Sequence, residues 1–76
     1  MTLTLPMYFR VGDRPVQALP TATGGMDVLA LDWQTGQFVR AMQYTTRIVM
    51  GDPEVDTLNR AEFDQYVAEV RRRLGG

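Results

Sequence analysis

Residues 59–76 read N-R-A-E-F-D-Q-Y-V-A-E-V-R-R-R-L-G-G, and this stretch decides the fold. Apolar side chains fall at Phe63, Tyr66, Val67, Val70 and Leu74, at spacings of three, four, seven and eleven from the first. That is one face of a 3.6-residue period. Asn59 stands at the N-cap position, where its side-chain oxygen can accept from the N–H three residues on. Glu62 occupies that third position and can reach back to the N–H of Asn59, a capping-box arrangement. Leu58 and Phe63 are placed as the apolar pair that fixes the chain's entry into the helix. Arg71, Arg72 and Arg73 lie in the last turns, next to the carbonyl end of the dipole. Gly75 is expected to end the helix in the left-handed conformation. The pattern predicts a helix over about 60–74 with Phe63, Tyr66, Val67, Val70 and Leu74 buried.

Everything before it reads as short strands. Residues 26–33 (M-D-V-L-A-L-D-W) and 37–44 (Q-F-V-R-A-M-Q-Y) flank Gln34-Thr35-Gly36. A type I turn near Asp32 followed by a left-handed Gly36 makes this a hairpin with a G1 bulge. The D-W-Q-T-G stretch is similar to the D-x-x-T-G turn of propeller-type repeats, but there is no second copy and no repeat architecture follows. Upstream, residues 5–11 form a strand, Gly12-Asp13-Arg14-Pro15 turns the chain, and residues 16–19 form another that Pro20 ends. Residues 46–50 (T-R-I-V-M) read as a fifth strand, stopped by Gly51-Asp52-Pro53. The expected fold is α+β: one domain over 1–76, with an antiparallel sheet of four or five short strands within 5–50. An acidic loop over 51–58 and one C-terminal amphipathic helix packed on one face complete it.

The strands 26–33 and 37–44 carry apolar groups on both faces, whereas a sheet with one solvated face alternates cleanly. One helix covers one face. The other is expected to be covered either by curling of the sheet or by a partner, of which homodimerisation is the favoured expectation.

Composition narrows the chemistry. The 76 residues include no Cys and no His, and the sequence contains no Ser and no Lys, so all eight positive side chains are Arg. Ser–His–Asp and Cys–His nucleophile systems, Lys Schiff bases and ordinary zinc sites are thereby excluded. No catalytic residue, cofactor or metal is expected, and a small carboxylate-based enzyme ranks last among the readings. The net charge of −1 gives no strong field for nucleic acid. No apolar run approaches the length of a membrane span. The opening MTLTLP lacks a basic region and an apolar core, so no signal peptide is expected, and the localisation read from this and from the missing Cys is cytoplasmic.

The candidate partner-contact residues are Trp33, Met42, Tyr44, Arg40 and Arg47. Trp33 is the single Trp and falls beside the hairpin turn, where an exposed aromatic can anchor an interface. Tyr8, Tyr44 and Met42 are expected on the same surface if register permits. Arg10, Arg40 and Arg47 fall on three different expected strands and could gather as an anion patch. Asp52, Glu54 and Asp56 alternate before the helix but do not fit a calcium loop. Thr57 stands where Gly is required, and Phe63 where the bidentate Glu should be.

In its length and its R-R-R-L-G-G end the chain resembles the ubiquitin family. The resemblance implies activation and conjugation through the terminal glycine pair. It departs from that family in placing the tail directly after a helix that comes last. The reading that follows is a non-catalytic protein-interaction module, either a homodimer or a small accessory or regulatory subunit of a larger partner. A nucleic-acid-associated protein using sheet-face Arg and aromatics is the second reading, and a ubiquitin-like or sulfur-carrier modifier is the third.

Overall fold

The computed structural model describes residues 5–75. Its strands are β1 (Met7–Val11), β2 (Arg14–Pro20), β3 (Met26–Leu31), β4 (Phe38–Arg40) and β5 (Val55–Leu58). A 3-10 turn at Met42–Tyr44 leads into a short helix, α1 (Thr45–Met50), and the long helix α2 (Arg60–Gly75) comes last. The sheet order is β4-β3-β2-β1-β5, antiparallel throughout and open at both edges. This is the α+β architecture expected, with a second helix added.

Local chemistry explains each boundary. Gly36 sits at φ +72, and its N–H donates to the Asp32 carbonyl at 2.8 Å, while the Asp32 N–H donates to the Gln37 carbonyl at 2.8 Å. The Asp32 carboxylate accepts from the Gln34 N–H at 2.9 Å, so the turn forms as its residues dictate. At the start of α2 the capping box is complete. Asn59 Oδ1 accepts from the Glu62 N–H at 2.8 Å, and Glu62 Oε1 accepts from the Asn59 N–H at 3.0 Å.

β1 starts at Met7 and β3 ends at Leu31, each two residues inside the expected strand, and four other differences are larger. The turn after β1 is only Gly12-Asp13, because Val11 already pairs with Arg14. Residues 41–44 are not strand, since β4 stops at Arg40 and the chain turns into the 3-10 segment. Residues 46–50 are helix, despite their β-branched composition. Tyr44, at the N-cap of α1, and Ile48 within it are half-buried, stand four apart and both pack on the core, and Gly51 at φ +72 terminates the helix. Tertiary burial of one helical face overrides the strand propensity of Thr, Ile and Val. The fifth strand lies instead in the expected acidic loop, where Val55–Leu58 pairs with β1 from Val11↔Val55 to Tyr8↔Leu58.

Register divides the core between two faces. Phe9, Val16 and Ala30 stand opposite one another across β1, β2 and β3, and with Val11, Ala18, Val28 and Ala41 they make one buried cluster. Tyr44 and Ile48 pack against that cluster from outside. The second sheet face is therefore covered by residues 41–50 of the same chain, rather than by a curled sheet. The opposite face carries α2. Phe63, Val67 and Val70 are buried there, and the Phe63 ring lies 4.8 Å from that of Tyr8 and 5.8 Å from that of Phe38. Each such buried side chain contributes about 1.5–3 kcal/mol. Three details of α2 depart from the sequence reading. Tyr66 is half-buried and Leu74 is 41% exposed rather than buried, and Gly75 is the last helical residue rather than a left-handed stop.

Candidate functional site

Of the five expected contact residues, the structure joins two. The Arg14 guanidinium lies 5.4 Å from the centre of the Trp33 ring, and its Nη1 donates to the Tyr44 hydroxyl at 3.1 Å. Arg14, at the start of β2, thus ties an exposed aromatic beside α2 to one on the opposite face of the sheet. Nothing in the sequence singles Arg14 out, because the link depends on the β1–β2 register. Tyr44 itself is half-buried against the core, which limits what it can offer a partner. Tyr8 stacks on Phe63 under α2, so Tyr8 and Tyr44 lie on opposite faces and do not share a surface.

The strand arginines do not gather. Arg10 on β1 pairs with Asp56 on β5 at 2.9 Å. That hydrogen bond and the charge of Asp56 hold the Arg10 guanidinium above the ordinary arginine range, so it is permanently charged. Arg40 Nε approaches Asp27 Oδ1 to 3.2 Å, an ion contact without hydrogen-bond alignment. Arg47, on α1 rather than a strand, faces Asp52 at 3.9 Å. Each of the three is therefore matched by an Asp, and exposed pairs of this kind contribute about 0–1 kcal/mol.

The three C-terminal arginines diverge as helix geometry requires. Arg71 Nε donates to the Gly36 carbonyl at 2.9 Å and its guanidinium covers Phe38, while Arg73 pairs with Glu69 at 2.7 Å. Of the loop carboxylates, Asp56 is a strand residue and Asp52 caps its own turn by accepting from the Glu54 N–H at 2.9 Å. Among the described residues no group of three potential metal-ligating side chains is brought together.

Two surfaces hold expected contact residues that stay exposed. One is a shallow cleft of about 320 Å³ lined by Asp13, Trp33, Tyr66, Val70, Arg73 and Leu74. Its polar wall is fixed by the Tyr66 hydroxyl, which donates to the Asp13 carbonyl at 2.6 Å. Burial, and secondarily the Asp13 carboxylate, pushes the Tyr66 phenol above its ordinary range. The other surface is the run from β4 to α1. Val39, Met42, Val49 and Met50 are exposed there, Met50 by 77% and Val49 by 60%. Met42 was expected. Val49 and Met50 were hidden by the strand reading of 46–50, which assigns alternate residues to the core. Only a helix turns both outward once Tyr44 and Ile48 face in.

No family model, curated protein or solved structure matches this chain. Among the described residues no helix is long and apolar enough to cross a membrane.

Proposed function

We propose that this chain is a non-catalytic protein-interaction module, working as a homodimer or as a small accessory subunit. One observation carries the reading. Of the six large apolar residues exposed among those described (Trp33, Val39, Met42, Val49, Met50 and Leu74), four belong to the twelve-residue segment 39–50. The inward side of that segment already covers the core, so the fold does not require the outward set. Scattered single apolar residues on a surface mean nothing, whereas a concentration of them marks contact. Met42 and Met50 add side chains that adapt their shape to a partner.

The matching of Arg10, Arg40 and Arg47 by Asp weighs against the nucleic-acid reading, because phosphate affinity depends on uncommitted positive charge. The missing nucleophiles support a non-catalytic role.

The reading is tested by comparing the native sequence with a Val49→Asp, Met50→Asp double variant. Both proteins are assayed for self-association by sedimentation and for specific capture from extract of the native cell. The outward position of both residues lets the variant fold. The expected result is association or capture by the native chain that the variant loses or weakens. If the native chain is monomeric and captures nothing that the variant does not, the reading is overturned.

A further inference from the structure

We propose that the open edge of β4 is where two copies of this chain meet, pairing β4 antiparallel with its counterpart about a two-fold axis centred on Val39. The proposal rests on the interaction-module reading and deepens it by naming the surface and the occupant.

The argument begins with backbone parity. In an antiparallel pair, alternate residues exchange both hydrogen bonds with the neighbouring strand and those between point their N–H and C=O away from it. The Ala41 N–H donates to the Val28 carbonyl and the Asp32 N–H to the Gln37 carbonyl, both at 2.8 Å. With the register Ala30↔Val39, these bonds make Val39 a residue bonded to β3. Phe38 and Arg40 therefore direct their backbone donors and acceptors outward, and among the described residues no strand lies beyond β4. A second β4 in antiparallel orientation meets this edge with Phe38 opposite Arg40 of the other copy, twice. That register makes four backbone hydrogen bonds.

Side chains agree with the backbone. The two Val39 residues face each other at the centre in the non-hydrogen-bonded position, where opposed side chains come closest. Val39 is 44% exposed, so it has apolar surface left to bury. On the other face each Arg40 stands opposite Phe38 of the other copy, a ring that the Arg71 guanidinium of that same copy already covers at 5.7 Å, so Arg40 keeps its charge balanced through Asp27 and the Val39 contact is the favourable side-chain pair.

The other edge fails the same test. The Gly12 N–H donates to the Glu54 carbonyl at 3.1 Å, which with the register Arg10↔Asp56 leaves Val55 and Thr57 directed outward on β5. The two-fold register that uses both of these outward residues centres on Asp56 and sets two carboxylates opposite each other at the closest approach, which is destabilising. Pairing β4 with β5 of the next copy is a head-to-tail contact, which gives a larger ring or an open filament, whereas the two-fold pairing closes at two.

The absence of Cys from the sequence gives a direct experiment. A Val39→Cys variant has one thiol, which can pair only with another copy, and the opposed Cα spacing in this register suits a disulfide. Under mild oxidation Val39→Cys is expected to cross-link at least about tenfold faster than Thr57→Cys on the other edge. By sedimentation over ~1 µM to ~1 mM, the range for interfaces below standard size, the native chain is expected to dimerise. Val39→Asp, checked for its fold by circular dichroism, is expected to stay monomeric, and Val39→Thr to dimerise. Equal cross-linking rates overturn the proposal, as does assembly that grows past the dimer. A dimer unaffected by Val39→Asp overturns the β4 edge while leaving the interaction-module reading standing. A monomer at every concentration overturns self-pairing, and the capture experiment on segment 39–50 then judges the module reading separately.

Discussion

Asn59 shows how one side chain sets the position of sixteen helical residues. Its Oδ1 and the Glu62 carboxylate satisfy two N–H groups that the first turn leaves without helical partners. Asn59→Ala is expected to cost about 1 kcal/mol. In a domain of this size that lowers Tm by roughly 4–8 °C, which calorimetry would read directly. Tyr66 makes the second local prediction. Its hydroxyl donates to the Asp13 carbonyl, and burial raises its ionisation above the ordinary value of 10.0. A raised folded-state pKa favours the protonated phenol in the fold. The resulting stability is complete below about 10 and is lost as pH rises through the folded value. Tyr66→Phe is expected to cost about 1 kcal/mol at neutral pH, and the gap to the native chain should narrow in urea titrations above about pH 10. The cap was legible in the sequence because both partners lie within four residues. The Tyr66–Asp13 bond was not, because fifty-three positions separate them and only the packing of α2 on the β1–β2 turn brings them together.

Among the elements, α1 and β5 are where local pattern and final structure part company. T-R-I-V-M carries strand-forming residues, yet it is helical because Tyr44 and Ile48, a helical turn apart, pack against the buried cluster that includes Phe9, Val16 and Ala30. V-D-T-L is too short and too acidic to stand out. It becomes a strand because Gly51 reverses the chain and brings it beside β1. By contrast the 32–37 turn and α2 carry their own instructions, in Asp32 with Gly36 and in an apolar stripe with a cap. The difference predicts where substitutions act. Gly51→Ala places a side chain at φ +72 and is expected to cost about 1–2 kcal/mol, although open space surrounds the position. Ile48→Ala opens the cover over the second sheet face. It is expected to cost about 1–2 kcal/mol, short of a fully buried site because Ile48 is half-buried. Chemical denaturation of the two variants would check both. A loss at Gly51 with none at Ile48 would mean that residues 41–50 do not cover that face.

In the whole molecule, one sheet carries a cover on each side, both supplied by the same 76-residue chain. The expectation that a partner must complete the core came from counting one helix where there are two. The case for association therefore moves from the interior to the surface, to Val39, Met42, Val49 and Met50 and the edge they flank. A domain of this length has about 4–11 kcal/mol of stability at the usual ~0.05–0.15 kcal/mol per residue. Phe63 carries a large share of it, because it is 3% exposed and touches the rings of both Tyr8 and Phe38, bridging β1 and β4 beneath α2. Phe63→Ala is expected to cost about 3–5 kcal/mol. Against a total of that size the variant should be largely unfolded at 37 °C, whereas Phe63→Leu should remain folded with a lowered Tm. Trp33 lies beside the cleft lined by Val70 and Leu74, so its fluorescence reports the seating of α2, while far-ultraviolet circular dichroism reports the whole backbone. Coincident transitions from the two signals in the Phe63→Leu variant are expected, since the two layers share one sheet. If the fluorescence change came well before the loss of ellipticity, α2 would be detaching from a sheet that survives without it, and Phe63 would anchor the helix alone.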